Sequence, residues 1–355
     1  MKNWLLYGAN GYTGLLIIEE ALARGHRPIL AGRSESKIAP LAQKYGLEYR
    51  CFDLKSHETI CKALEGVSLV FLAAGPFVHT SEPMLRACLE TQTHYIDITG
   101  EMPVFENTFN YNQLARERGI CLMSGVGFDV VPTDCLGAYV AQRLPDANKL
   151  ELAFVMGVSP SGGTSKTAVE MSSRGGFVRE NGKLKPFPVG TGFQEMTFSS
   201  GKKLPVMPIP WGDLVTGFHS TGIPNIITYA AAPKVPGLRW ILLAVKNLMR
   251  VKPLVKGIQM LIGMFMDGPD ESDPNAPNGQ IYARATNPKD EQVEAWLEVC
   301  PGYTFTARAG LLCLEKILDS KLAGTFTPSM AFGADMVLEV EGTKRFDSLK
   351  EGVLA

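Results

Sequence analysis

Little in this chain is lopsided, and each thing it lacks removes a class of function. Its 355 residues carry 35 Lys and Arg against 36 Asp and Glu, a net charge of −1. That balance gives no electrostatic reason to expect nucleic acid as a partner, although local patches still matter. Seven cysteines, at 51, 61, 88, 121, 135, 300 and 313, form no C-x-x-C pair. Their odd number and their places inside apolar runs fit buried free thiols in a reducing, cytoplasmic setting. There is no H-E-x-x-H, no cysteine cluster and no G-x-S-x-G, so neither a metal centre nor serine-hydrolase chemistry is expected. No Tyr-x-x-x-Lys occurs either, since Tyr139 has Arg143 at that offset. The N-terminus runs straight into a strand pattern, which argues against a cleaved signal peptide and against secretion.

What is present is ordinary globular composition, 45% apolar and 20% charged. The length predicts about two domains. From residue 1 to about 130, strand-like runs (4–9, 28–31, 49–52, 69–73, 94–98 and 120–124) alternate with helical stretches near 14–24, 35–45, 57–65, 81–91 and 106–118, and a further helix is read at 133–143. Such alternation implies right-handed crossovers and a parallel sheet. The fold class expected is α/β, a Rossmann-type doubly wound parallel sheet.

The stretch YGANGYTG, Tyr7 to Gly14, organises this half. Glycines between a strand and a helix allow a tight turn and let the backbone approach a pyrophosphate. The amides that open the following helix then face the anion. Gly8, Asn10, Gly11, Tyr12, Thr13 and Gly14 are therefore candidate cofactor residues. The spacing is G-x-x-G-x-x-G, a variant of the usual fingerprint, and a plain glycine-rich turn is the alternative.

A second clue is AGRSESK, Ala31 to Lys37. NAD-selective folds place an acid about 20 residues after the glycines to accept the ribose 2′-hydroxyl. Here Arg33 stands there, with Ser34 and Lys37 beside it, a set suited to a 2′-phosphate and so to NADP. The alternative is a solvated face with Ser34 as a helix N-cap. Asp53, ending the third strand, can reach an adenine amino group or be a polar strand end. Ala74, Gly75, Pro76 and Phe77 follow the fourth strand and can lie against ribose and nicotinamide. Carboxylates at 97, 101, 129 and 134 fall at the carboxyl ends of the fifth and sixth strands. Glu101, Asp129 and His79 are the candidate proton donors, each with a cap or loop anchor as its plainer reading.

These residues reach a family. YGANGYTG, LAGRSESK, AAGPF, Ser81 to Glu101 and GFDVVPTD, continued by SGGTSKT, STGIPNIITY and TFTPSMAFG, together resemble the saccharopine dehydrogenase-like oxidoreductases. Within them they are most similar to the bacterial trans-acting enoyl reductases and related saccharopine dehydrogenase-like proteins of lipid membranes. The resemblance implies an NADP-binding domain, an inserted second α/β (α+β) domain with its own sheet, and C-terminal helices returning to the first. The domains expected are 1–145 plus 303–355, and 146–302. Where many relatives read Tyr-Gly-Glu-Pro after the GPF loop, this chain has Thr80-Ser81-Glu82-Pro83.

After about 146, short strand-like runs joined by Gly, Pro and Ser suit a mixed sheet. Lys166 in SGGTSKT and His219 in FHSTGIP can meet an anionic group or supply a proton, with a solvated lysine and a loop hydrogen bond as the plainer readings. Residues 237–266 are apolar at helical spacing and carry Arg239, Lys246, Arg250, Lys252 and Lys256 with no acid from 238 onward. Pro253 and the charges rule out the run of about 20 apolar residues that spanning requires. A basic amphipathic pair lying on an anionic membrane, at the inner face, is one reading. Packing on the second sheet or a homodimer contact is the other.

Hydride chemistry needs little from the protein beyond position and a proton. The absence of a firm Tyr or Lys acid favours reduction of a hydrophobic enoyl group, lipid-like or polyketide-like, by NADPH. Saccharopine-type condensation of an amino acid with a semialdehyde is the alternative, and a membrane-associated scaffold that merely holds NADP is a third.

Overall fold

A computed structural model describes residues 3–156, 175–232, 240, 243–244 and 278–349. SGGTSKT with Lys166, nearly all of 237–266 and most of the acidic loop at 267–279 lie outside the described residues. The chain divides into two compact units, Met1–Asp129 with Tyr303–Ala331, and Val130–Gly302 with Phe332–Ala355.

In the first unit, strands β1 (Trp4–Tyr7), β2 (Ile29–Gly32), β3 (Tyr49–Cys51), β4 (Leu69–Leu72), β5 (His94–Asp97) and β6 (Cys121–Met123) alternate with helices. The helices are α1 (Tyr12–Ala23), α2 (Glu35–Tyr45), α3 (His57–Ala63), α4 (Phe77–Thr91), α5 (Met102–Asn110) and α6 (Asn112–Arg118). All sheet pairs are parallel, in the order β6-β5-β4-β1-β2-β3, with a short late strand, β15 (Gly324–Thr325), added beside β6. This is the doubly wound order whose direction reverses between β1 and β4, the place where such sheets bind ligands. β1 and β4 are buried along their whole length, which is why their sequences read as continuous apolar runs. The register sets Tyr7 opposite both Ala31 and Leu72, and Leu72 opposite Asp97. The residues that follow these four therefore leave the sheet at one level.

In the second unit a mixed sheet runs β10-β11-β12-β7-β13-β14-β16. Its strands are β7 (Lys149–Val155), β10 (Gln194–Thr197), β11 (Lys203–Pro208), β12 (Asn225–Ala231), β13 (Gly279–Thr286), β14 (Gln292–Val299) and β16 (Lys344–Phe346). Only β12 with β7 is parallel along this path. A hairpin of β8 (Gly176–Glu180) and β9 (Lys183–Phe187) joins through β12. Helices α7 (Val131–Arg143) and α8 (Asp213–Thr221) are tied together by Thr133 Oγ1, which donates to Asp213 Oδ1 at 2.6 Å.

Several boundaries differ from the sequence expectation. The first unit ends at 129, not 145, because α7 packs on the second sheet. A Cβ at Gly137 would lie 3.4 Å from Leu150 and Leu152. The stretch 303–355, expected in the first domain, is divided: it contains β16, which pairs with β14, so 332–349 goes to the second unit. α4 starts at Phe77, not 81, with Pro83 inside it. The stretch expected as one helix at 106–118 is two, divided at Tyr111. Near the C-terminus, Gly333, whose φ is +85°, separates α10 (Pro328–Phe332) from a 3-10 turn at Ala334–Glu339. Before them in sequence, Gly302–Asp319 forms α9, and Tyr303 onward returns to the first unit.

Candidate active site

Gly8 follows β1 with φ +92°, a conformation that strains any side chain. A Cβ there would stand 2.8 Å from the carbonyl carbon of Ala73 and 2.9 Å from Ala74 Cβ. One at Gly14 would stand 2.5 Å from the Gly8 oxygen. The turn is held by Gly8 N donating to Ala31 O (2.9 Å), Gly11 N to Gly8 O (2.9 Å) and Ala73 N to Tyr7 O (2.8 Å). Gly11, which has no side chain to cap with, is the N-cap of α1. Amides that open a helix, with the positive end of its dipole behind them, are what a diphosphate requires. Asn10 is exposed, with its Oδ1 near Gly32, and Thr13 is half-buried. Tyr12 opens α1 and meets Tyr303 edge to face at 5.1 Å.

Arg33, half-buried Ser34 and Lys37 follow β2. The Arg33 and Lys37 side chains are exposed and make no hydrogen bond or ion pair with the described residues. Ser34 occupies the N-cap position of α2 without capping it; its hydroxyl meets that of Ser36 at 3.1 Å. Asp53 is exposed and accepts from Lys55 N at 3.0 Å. The Tyr7 hydroxyl, donating to Phe52 O at 3.1 Å, lies within reach of the charges of both Arg33 and Asp53. Burial raises its pKa to about 12.

After β4, the Gly75–Pro76 bond is cis and Thr80 Oγ1 donates to Ala74 O at 2.7 Å. Pro76 cannot cap α4. Glu101, fully buried, does so from 24 residues away, accepting from Phe77 N (2.8 Å) on one oxygen and Val78 N (2.9 Å) on the other. A carboxylate on two amides at a helix start gains from both hydrogen bonds and dipole. His79 is exposed on the first turn of α4.

Asp97, also buried, gathers the loops after β5 and β6. It accepts from Tyr95 OH (2.7 Å), Thr99 N (3.0 Å), Ser124 Oγ (2.8 Å) and Gly125 N (2.9 Å). Burial raises its pKa against these donors. Thr99 Oγ1 accepts from Glu101 N at 3.0 Å, which carries the network on to the α4 cap. Phe128 N donates to Thr306 Oγ1 at 3.0 Å, and a Cβ at Gly127 would stand 2.8 Å from the Thr306 methyl. Asp129, next in the chain, has its pKa raised to about 7, by burial first and by the Glu101 charge second. The structure thus gathers the glycine turn with Ala73–Ala74, Arg33 with Asp53, and Glu101 with Asp129. Thr306 had no sequence signal, because its partner lies 178 positions away. Asp97 was legible only as one of several strand-end acids.

Residues 8–101 match a family model described as NAD(P)H-binding. The saccharopine dehydrogenase-like oxidoreductase of Bos taurus is 27% identical over 219 residues, covering 52% of this chain and 50% of that protein. The trans-acting enoyl reductase of Mycobacterium ulcerans (strain Agy99) is 28% identical over 159 residues, 42% of this chain and 38% of that protein. Both are homologues, and the chain spans about half the length or less of these curated relatives. The apo saccharopine dehydrogenase (L-Glu forming) of Saccharomyces cerevisiae superposes with a TM-score of 0.62, covering 98% of this chain and 100% of that one at 12% identity. That likeness shows a shared fold. No helix among the described residues is long and apolar enough to cross a membrane.

Proposed function

From its kinship with saccharopine dehydrogenase-like oxidoreductases, we propose that the chain is an NADPH-dependent reductase. The observation that carries this reading is the glycine turn, packed so closely at Gly8 and Gly14 that neither position admits a Cβ, which leads directly from β1 into the start of α1. The amides opening α1 hold the diphosphate, and Arg33, Ser34 and Lys37 hold a 2′-phosphate. When bound, the dinucleotide supplies a hydride.

Asp129 is the proton donor. With a pKa of about 7 it keeps its proton in about half the molecules at neutral pH, the condition for efficient general acid work. Glu101 is a positioning residue that fixes the first turn of α4 and, through its charge, lifts Asp129. Two carboxyl groups with such different surroundings divide the roles of charge and proton between them. The substrate is a hydrophobic enoyl group, lipid-like or polyketide-like, a reading supported by a relative named as an enoyl reductase. A cytoplasmic location with peripheral membrane contact through 237–266 belongs to the same reading and rests on sequence alone.

Fluorescence titration of the full chain with NADPH and NADH tests the cofactor. NADPH is expected to bind about tenfold tighter or more, and Arg33→Glu to reverse the order. Equal affinities, or no response to Arg33→Glu, would overturn the preference. Anaerobic NADPH oxidation against enoyl, keto and semialdehyde substrates, with and without anionic vesicles, tests the chemistry. Turnover of semialdehydes alone would move the assignment to saccharopine-type reduction. No turnover at all would leave a cofactor-holding scaffold.

A further inference from the structure

Away from the glycine turn, on the α3–α4 side of the first unit, three unlike donors converge. His57 and Cys61 stand four apart on α3 and so share one face of that helix. Glu90 comes from the last turn of α4. One ligand atom from each lies within 4.8 Å of the other two. His57 Nε2 meets Glu90 Oε2 at 2.8 Å and Cys61 Sγ at 3.5 Å. We propose that His57, Cys61 and Glu90 form a binding site for a divalent cation of the zinc class, with water in the fourth position.

The geometry separates this from the other chemistry such a trio can do. In a nucleophilic triad the base uses its two ring nitrogens for two partners, one for the nucleophile and one for the orienting acid. Here thiol and carboxylate both approach Nε2, which is convergence on a point, as ligands converge on an ion. Tetrahedral zinc bonds of about 2.0–2.3 Å place neighbouring N and S donors about 3.5 Å apart and N and O donors about 3.3 Å apart. The sulfur–nitrogen distance already fits, and the His57–Glu90 pair has to open by about half an ångström. One thiolate and one carboxylate balance a double positive charge. The donor set of imidazole, thiolate and carboxylate is the one that zinc accepts.

Access and support are both present. The His57 and Glu90 side chains are 46% and 65% exposed, so an ion reaches them from solvent. They line a groove of about 670 Å³ with Leu54, Leu89 and Tyr111. Ser56 caps α3, accepting from Thr59 N at 3.3 Å, and this holds His57 at a defined helix start. A bound ion would pin α3 to the end of α4. The H-x-x-x-C spacing is visible in the sequence, but the third ligand lies on another helix, so no local motif announces the site.

The test uses the full, untagged chain freed of metal and titrated with Co2+, which takes zinc sites and gives a thiolate-to-cobalt charge-transfer band. The band is expected to saturate at one equivalent and to be displaced by Zn2+. It should vanish in Cys61→Ser, and cobalt should bind at least about tenfold more weakly in His57→Gln and in Glu90→Gln. Cys51→Ser, which alters the exposed thiol elsewhere in this unit, should leave it unchanged. Absence of the band in the parent protein, its survival in Cys61→Ser, or unaltered affinity in both other variants would overturn the proposal. None of these readouts depends on dinucleotide binding or turnover.

Discussion

Both units bury carboxylates, and they hold them in opposite ways. In the second, Glu151 on β7 sits directly across from Arg284 on β13. The guanidinium donates through Nε and a terminal nitrogen at 2.8 and 2.6 Å, and Lys149 adds a contact at 3.2 Å. The cations hold the Glu151 pKa below its ordinary value although burial pushes it up. In the first unit Asp97 has four donors, all neutral. Glu101 rests on two amides. Asp129 is lifted to about 7. A cation-paired carboxylate on opposed strands fixes register and stays charged. Carboxylates held by neutral donors stay sensitive to protons and to each other, which suits a site that moves them.

The contrast can be broken first at its strongest point. Arg284→Met leaves Glu151 buried beside a partly exposed lysine. Removing one partner of a fully buried pair costs about 3–5 kcal/mol. Arg284 is 25% exposed, so we expect a loss of about 2–3 kcal/mol in chemical denaturation at neutral pH. No loss would mean that the pair does not hold the sheet. Asp97→Asn comes next. An amide keeps the shape but turns a donor toward donors, and about 1–3 kcal/mol of stability should go, read from the same denaturation curves. An unchanged midpoint would show that the four bonds do not order the loops after β5 and β6.

A third test sharpens the comparison through pH. Asp129 has a folded-state pKa of about 7 against an ordinary 3.8. Its raised value means that the stability it contributes is fully present below the unfolded pKa and is lost as pH rises through 7. Asp129→Asn should therefore match the parent in acid and exceed it at about pH 8, with a flatter stability curve between. Glu151 works with the opposite sign, its contribution present above the ordinary glutamate range and lost in acid. A parent curve that rises rather than falls between those limits, and is unaffected by Asp129→Asn, would contradict the assignment of Asp129 as a neutral-pH donor.

The sequence carried the first unit further than the second. Six parallel strands, the glycine turn and the basic residues after β2 follow from apolar runs, glycine spacing and charge, all of them local signals. The second unit depends on pairings that are not local. One local signal there was present, Asn181-Gly182, both with positive φ, which is the hairpin turn between β8 and β9. The short strands β11 and β16 exist only because neighbours complete them. Glu101 shows the same limit within the site: read alone it is a candidate acid, and only the fold reveals that its oxygens cap α4. The α3–α4 trio shows it again, since two of its members share a helix and the third does not.

The most direct measurement is the NADPH dissociation constant of the parent chain and of Gly14→Val. A Cβ at this position falls 2.5 Å from the Gly8 oxygen, so the turn that holds the diphosphate cannot close as it does. With both proteins folded by circular dichroism, binding should weaken about tenfold to a hundredfold, the equivalent of about 1–3 kcal/mol of overpacking. An identical constant for the two, or no binding by the parent, would contradict the placement of the dinucleotide at the glycine turn.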